Sequence, residues 1–94
     1  MFSISVNDNG IIVLTGRFDA AQVDRAREVF SGLEASAVVD FRDLDYISSA
    51  GLGVLLATQQ RLKKVGKAIK LINMNRMVRD VFKIARFDLI FEIE

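Results

Sequence analysis

The chain has 94 residues, 51% of them hydrophobic, which is enough for one folded domain and too apolar for an intrinsically disordered protein. It has no cysteine and no histidine, which excludes a disulfide framework, a thiolate metal site and a Ser-His-Asp triad. Its 13 basic and 12 acidic residues leave a net charge of +1, too small for strong attraction to nucleic acid. We therefore expect no enzyme activity, metal, cofactor or nucleic-acid partner.

The N-terminal residues carry neither the basic start nor the long apolar run of a secretory signal peptide. No stretch reaches the roughly 18 uncharged apolar residues that a transmembrane helix needs. These observations predict a cytoplasmic protein without direct insertion into a membrane. No repeat, linker or low-complexity tract divides the chain, so residues 1–94 are predicted to form one domain.

The first part of the chain predicts a β-hairpin followed by a helix. Hydrophobic and polar side chains alternate over residues 2–6, and residues 11–15 form a run typical of a strand buried on both faces. Residues 7–10, between these strands, have turn chemistry. Asp19 is then placed to cap a helix. The apolar face of that helix would carry Val23, Ala26, Phe30 and Leu33.

The middle of the chain predicts a strand, a connector and a second helix. Residues 37–41 have the composition of a buried parallel strand, and residues 42–46 that of a polar connector. Residues 47–53 open the second helix, and Gly66 suits the left-handed position that ends it. The apolar face of this helix would carry Leu52, Leu55, Leu56 and Leu62.

The last part adds a strand at residues 68–72, a third helix and a final strand at residues 90–93. The apolar face of the third helix would carry Val78, Val81, Phe82 and Ala85. The resulting order, β-β-α-β-α-β-α-β, predicts a single α/β domain whose mixed, largely parallel sheet has helices packed on it. Four residues are predicted to lie in its core: Val39, Leu55, Leu71 and Phe82.

Residues 48–53, Ser-Ser-Ala-Gly-Leu-Gly, are the only concentration of small and hydroxyl-bearing residues in the chain. They lie where a polar segment enters the second helix, so two hydroxyls stand beside free N–H groups and the positive end of the helix dipole. A phosphate there would meet favourable partners. The pattern also suits a purely structural helix start, with Ser as the N-cap and Gly for close packing. It matches neither a P-loop nor a nucleophile elbow.

Three motifs resemble the STAS domain family (sulfate transporter and anti-sigma factor antagonist), in particular its stand-alone bacterial anti-sigma factor antagonists. Residues 16–19, Gly-Arg-Phe-Asp, resemble the family's Gly-x-hydrophobic-Asp at the end of the second strand. Residues 38–47 resemble its third strand and connector. Residues 49–53 resemble its Ser-Ser/Thr/Ala-Gly-Leu-Gly signature, and the order of elements matches over essentially the whole chain.

The resemblance implies an adaptor without catalytic residues, switched by phosphorylation in a partner-switching pathway. Such a protein binds an anti-sigma factor serine kinase, is phosphorylated by it, and is restored by a serine phosphatase. Many members place the acceptor directly before the Gly, where this chain has Ala50. By the match to members that read Ser-Ala-Gly, Ser49 is the implied phosphorylation site and Ser48 the second choice. Asp19, Ser48, Ala50 and Gly51 are the implied partner-binding residues.

The sequence leaves two alternatives open. A protein of the same fold could be a non-phosphorylated STAS subunit of a larger assembly, such as a stressosome or a membrane lipid-transport complex. A small ligand-binding module is the alternative from another class. An adjacent gene for a kinase or a serine phosphatase would favour the switch, whereas adjacent transporter genes would favour the subunit.

Two groups of cations lie outside these motifs. The first group lies opposite the predicted apolar face of the third helix, and its members follow one another at spacings of 3, 4 and 3 residues: Arg76, Arg79, Lys83 and Arg86. This stripe is typical of a solvated face, and docking to an acidic partner is the alternative. The second group is expected to form the solvated end of the second helix and comprises Arg61, Lys63, Lys64, Lys67 and Lys70.

Overall fold

The computed structural model describes residues 1–94 and contains five strands and three helices. The strands are β1 (Ser3–Val6), β2 (Ile12–Phe18), β3 (Ala37–Ile47), β4 (Ile69–Ile72) and β5 (Glu92–Ile93). The helices are α1 (Val23–Ser31), α2 (Ser49–Lys63) and α3 (Arg76–Ile84), and short 3-10 turns cover Ala20–Gln22 and Phe87–Leu89. No helix combines the length and the apolar character needed to cross a membrane. The order of elements confirms the prediction.

The strands form one sheet in the order β1-β2-β3-β4-β5, in which only β1 is antiparallel to its neighbour. Each parallel pair is joined through a helix, and such crossovers are almost always right-handed. Because each crossover moves one strand further in the same direction, all three helices lie on one face of the sheet. The prediction that β2 is buried on both faces is therefore wrong: Ile12 and Leu14 are buried, whereas Val13 is only half-buried.

β3 is longer than predicted, because residues 42–46 belong to the strand and do not form a connector. Two irregularities in the pairing with β2 each insert an extra residue into β3. They allow Leu44 and Ile47 to enter the core while the polar side chains of the same segment stay exposed. Strand pairing uses backbone groups only, so the polar residues 42–46 can stay in β3. The two bulges turn the side chains of Leu44 and Ile47 back toward the core.

One core holds the helices to the sheet, and it comprises 20 buried apolar side chains. The four residues predicted to be core are all fully buried: Val39, Leu55, Leu71 and Phe82. The Phe82 ring of α3 stands edge-on to the rings of Phe41 and Phe91, with centroids 5.9 Å apart in both pairs. Edge-to-face pairs of this kind stabilise a core beyond the area that they bury, so Phe82 joins α3 to both β3 and the start of β5.

Two polar side chains of α2 tie neighbouring elements together through backbone groups. The buried Gln59 accepts a hydrogen bond from Ile69 N at 2.9 Å and donates one to Ile90 O at 3.0 Å. Arg61 donates to the carbonyl oxygens of Phe30 and Leu33 at 2.7 and 2.8 Å. Arg61 therefore caps the C-terminal end of α1 while remaining exposed, as predicted. Lys70, predicted in the same group at the end of α2, lies instead in β4.

β5 is only two residues long, and charged side chains help to hold it against β4. Lys70 Nζ lies 3.4 Å from Glu92 Oε2 and also pairs with Glu94 Oε2. The hydrogen bond to Glu94 is the main reason that the pKa of Lys70 is raised above its ordinary value. The backbone continues the pairing, since Glu94 N donates to Leu71 O at 2.9 Å.

We expect Leu55→Ala to lower the free energy of unfolding by about 2–5 kcal/mol, because it removes a fully buried side chain. Leu89→Ala is the matched control, since Leu89 is 76% exposed and its loss should change the free energy by less than about 0.5 kcal/mol. Urea unfolding followed by circular dichroism measures both variants. Equal effects would contradict the orientation of α2 on the sheet.

Candidate functional site

The carboxyl ends of β2, β3 and β4 meet at one edge of the sheet because these strands are parallel. Asp19 directly follows β2, Ser48 and Ser49 follow β3, and Asn75 follows β4 at the start of α3. α2 and α3 therefore both begin at this edge. The structure brings the predicted site residues together, although a helix and a strand separate Asp19 from Ser48 in the sequence.

Ser48 and Ser49 have different roles at the start of α2. Ser48 is the N-cap: its backbone is extended, and its Oγ accepts a hydrogen bond from Gly51 N at 3.1 Å. Its own N–H donates to Phe18 O at 2.9 Å, which anchors the helix start to the end of β2. Ser49 occupies the first helical position, is exposed, and makes no side-chain hydrogen bond within the chain. Of the two predicted acceptors, Ser49 is the one with a free hydroxyl.

Gly51 and Gly53 lie two residues apart but have opposite surroundings. Gly51 is buried, and a Cβ there would lie 2.9 Å from Ile47 Cγ1 and 3.1 Å from Phe18 O. The structure therefore gives Gly51 a packing role beneath the surface, in place of the partner contact that the resemblance implies. Gly53 is exposed, and a Cβ there would meet no atom within 4 Å.

The sequence predicted that Asp19 caps α1, but in the structure it caps a 3-10 turn that precedes α1. Its Oδ1 accepts a hydrogen bond from Ala21 N at 3.1 Å, at the start of the turn Ala20–Gln22. α1 follows this turn, with Gln22 as an N-cap that forms no side-chain hydrogen bond. The turn packs against α2, and the Asp19 side chain is half-buried. The carboxylate is thus held in place by the backbone that it caps, at the edge where α2 begins.

The exposed face of α2 carries no charge over its first three turns. Ser49, Ala50, Gly53 and Ala57 are exposed there, and Arg61 is the first charged residue of the helix. We call this the uncharged face of α2. Its small side chains let another protein approach the helix closely. A charged group introduced there would place a charge on a surface that otherwise has none.

Two features of this edge go beyond the sequence prediction. Asn75 caps α3 by accepting from Val78 N at 2.8 Å and donates to Leu44 O at 3.0 Å. An Asn just before the apolar periodicity of a helix is a recognisable N-cap signal. The Arg17 guanidinium lies 4.3 Å from the centroid of the Tyr46 ring. That contact depends on the register of β2 with β3, for which no local signal exists.

The chemistry of this edge follows from what surrounds the free hydroxyl. No three His, Cys, Asp or Glu side chains converge to hold a metal ion. Surface grooves of about 430, 640 and 180 Å³ are present, and none is lined by Asp19, Ser48 or Ser49. Ser49 has no base in hydrogen-bond contact, and a serine nucleophile needs one. At this edge the Ser49 hydroxyl is therefore exposed and has no hydrogen-bond partner within the chain.

We expect Ser48→Ala to lower the free energy of unfolding by about 0.5–2 kcal/mol, because it removes the N-cap hydrogen bond. Ser49→Ala is the matched control and should change the free energy by less than about 0.5 kcal/mol, since its hydroxyl has no partner. Thermal and urea unfolding compare the two. A loss at Ser49 as large as that at Ser48 would show that the assigned roles are wrong.

We expect Gly51→Ala and Gly53→Ala to have opposite effects on stability. The first should lower the free energy of unfolding by about 1–3 kcal/mol, because the new methyl group overlaps Ile47 and Phe18. The second should raise it by about 0.5–1 kcal/mol, because Ala is the better helix former and meets no neighbour. The midpoints of denaturant unfolding measure both changes, provided that the dependence of the free energy on denaturant concentration stays the same. A change of the same sign in both variants would contradict the difference in packing between the two glycines.

A comparison with protein-family models finds a match. The model described as MlaB, STAS domain, matches residues 4–92. The matched region therefore contains all three motifs on which the resemblance rests: residues 16–19, 38–47 and 49–53. It also contains every residue of the site at the carboxyl edge of the sheet.

Two curated relatives were found by sequence. BtrV of Bordetella bronchiseptica, described as an anti-sigma factor antagonist, is 40% identical over 74 residues. That match covers 79% of this chain, which spans 58% of the length of BtrV. A STAS-domain containing protein of Pseudomonas aeruginosa is 29% identical over 85 residues, and the match covers 87% of this chain and 84% of the relative.

Solved structures share the fold at low identity. Unphosphorylated SpoIIAA, an anti-sigma factor antagonist, superposes with a TM-score of 0.70 at 21% identity. The superposition covers 100% of this chain and 87% of the SpoIIAA chain. Phosphorylated SpoIIAA from Bacillus gives 0.71 at 21% identity, covering 100% and 91%. A Thermotoga maritima protein described as an anti-sigma factor antagonist gives 0.81 at 20% identity, covering 99% and 85%. With a family model matched over residues 4–92 and this architecture, the chain belongs to the STAS domain family.

Proposed function

We propose that the chain is an anti-sigma factor antagonist that acts in the cytoplasm as a phosphorylation-switched adaptor of a partner-switching pathway. In its unphosphorylated form it binds an anti-sigma factor serine kinase. The kinase phosphorylates Ser49, which ends the interaction, and a serine phosphatase acting on the phosphorylated form restores it. The observation that carries the proposal is the exposed, unbonded hydroxyl of Ser49 at the first position of α2.

The comparisons support this role. BtrV, described as an anti-sigma factor antagonist, is 40% identical over 74 residues. SpoIIAA has been solved in an unphosphorylated and a phosphorylated form, which resemble this chain with TM-scores of 0.70 and 0.71. The near-equal scores suit a switch that changes the surface of a STAS domain and leaves its architecture intact.

Ser49 is a better acceptor than Ser48 for a geometric reason. A kinase must reach the hydroxyl and align it with the phosphate that it transfers. The Ser48 hydroxyl is half-buried and occupied as the acceptor of the Gly51 N–H, so its phosphorylation would break the helix cap. The Ser49 hydroxyl is exposed and its modification leaves that cap in place.

A phosphate on Ser49 has opposite effects on the domain and on the complex. It adds about 1.5–2 negative charges at neutral pH. Within the domain, that charge lies beside the first N–H groups of α2 and the positive end of its dipole, which favour an anion. In the complex, it lies on the uncharged face of α2, where a covering partner must desolvate it. Phosphorylation is therefore expected to weaken binding without unfolding the protein.

The proposed partner-binding residues surround this hydroxyl. Asp19, Ser48 and Ala50 lie at the surface or half-buried at the same edge, and we propose that they contact the kinase. Gly51 contributes from beneath, by letting α2 begin against Phe18. The proposed role uses no catalytic residue of this chain, no cofactor, no nucleic acid and no insertion into a membrane.

Incubation with ATP and the anti-sigma factor kinases encoded in the same genome should place one phosphate on Ser49, located by mass spectrometry. The phosphorylated protein and Ser49→Asp should bind the kinase at least about tenfold more weakly than the unmodified protein, because the interface gains a charge that it must desolvate. Ser49→Ala is the control: it should take no label at this site and should keep its affinity.

Two results would contradict the switch. One is label confined to residues other than Ser48 and Ser49, and the other is equal affinity of the modified and unmodified forms. Stable binding of a partner with no label at all would instead favour the non-phosphorylated STAS subunit of a larger assembly.

A further inference from the structure

The outward side of α3 carries a concentration of positive charge without partners. Three exposed residues of α3, Arg76, Arg79 and Lys83, together with Arg86 just beyond its end, form what we call the basic face of α3. Arg86 has a left-handed backbone with φ 64°, so it does not continue the helical spacing that the sequence predicted. The ion pairs of the chain all lie elsewhere, although Asp80 lies one turn of the helix from both Arg76 and Lys83. Asp80 is the one acidic residue in the same stretch. The proposed function leaves this surface unexplained.

Two large apolar side chains accompany the basic face. Met77 is 65% exposed and Ile84 is 84% exposed, and their spacing of seven residues places them on one side of the helix, two turns apart. Val78 and Phe82 anchor the opposite side of α3 in the core, so packing within the domain does not use Met77 or Ile84. Exposed Met and Arg side chains together are typical of protein–protein interfaces.

The basic face is within reach of a protein that covers Ser49. α2 and α3 begin at the same edge of the sheet and lie on the same side of it. A standard interface covers about 800 Å² of each partner, which is enough to span the starts of both helices. One partner can therefore contact the uncharged face of α2 and the basic face of α3 together.

We infer that the basic face of α3 is a docking surface for an acidic region of the same partner that covers Ser49. This inference rests on the proposed function, because it describes a second surface of that complex. Charge complementarity carries it: the stretch has four cations against one carboxylate, in a chain whose 13 basic and 12 acidic residues nearly balance. Partner carboxylates pair with the four cations, and an apolar side chain covers Met77 and Ile84.

An acidic partner also increases the loss of affinity that phosphorylation of Ser49 causes. The partner's carboxylates are held close to the start of α2 by the cations of α3. A phosphate on Ser49 then faces like charge as well as the cost of desolvation, and like charges across an interface are strongly unfavourable. Attraction at α3 and repulsion at phosphorylated Ser49 therefore act on the same acidic region.

The test measures the affinity of the anti-sigma factor kinase for three variants and the unmodified chain at low and high salt. The first replaces Arg76, Arg79 and Lys83 by Gln, and its matched control replaces Lys63, Lys64 and Lys67 by Gln. Both lose three exposed cations, so they share the change in net charge. The third variant, Met77→Gln, removes an apolar contact without changing the charge. Melting temperatures verify that all variants are folded.

We expect the α3 triple variant to bind at least about tenfold more weakly and to lose most of the salt dependence of the unmodified chain. The control triple variant should keep both the affinity and the salt dependence. Met77→Gln should weaken binding and leave the salt dependence unchanged.

Three results would overturn the inference. If the α3 triple variant binds like the unmodified chain while Ser49→Asp does not bind, the inference fails and the proposed function stands. If both triple variants lose affinity equally, net charge and not this surface is responsible. If the unmodified chain does not bind the kinase, or binds a short DNA duplex more tightly, the inference and the proposed function fail together.

Discussion

The start of α2 depends on one close contact, between Gly51 and the end of β2. A side chain at this position would overlap Ile47 Cγ1 at 2.9 Å and crowd the Phe18 carbonyl at 3.1 Å, so only a residue without Cβ lets the helix begin here. The same carbonyl accepts the N–H of Ser48. These two contacts determine where the helix begins and therefore where the Ser49 hydroxyl stands relative to Asp19.

The order of the strands determines which surfaces remain for a partner. Three right-handed crossovers in one direction place all helices on one face of the sheet, and the inner sides of these helices form the core with it. The outer sides of these helices stay exposed. α2 is uncharged there from Ser49 to Ala57, whereas α3 is basic. A sheet with helices on both faces would have separated these two surfaces.

The helix terminus makes the same position suitable for a hydroxyl and for a phosphate. Ser48 uses its side chain to satisfy one N–H of the first turn, and the remaining N–H groups keep the positive potential of a helix N-terminus. Ser49, one residue later, stands within that potential without being needed for the cap. In the proposed switch, Ser49 is therefore the serine that is modified, while Ser48 keeps the helix cap intact.

The sequence by itself determined the order of the elements, most of the buried faces of the helices and the location of the Ser48–Gly53 helix start. Each of these follows from residues close together in the chain, through periodicity or capping. Ala85, predicted on the apolar face of α3, is exposed just beyond the end of that helix. Only the tertiary structure decided that residues 42–46 remain in β3, that Arg61 caps α1, and that Gly51 is buried while Gly53 is not. It also decided which of two adjacent serines has a free hydroxyl. Those outcomes depend on strand register and on contacts between residues distant in sequence. Neither produces a pattern among neighbouring residues from which it could be predicted.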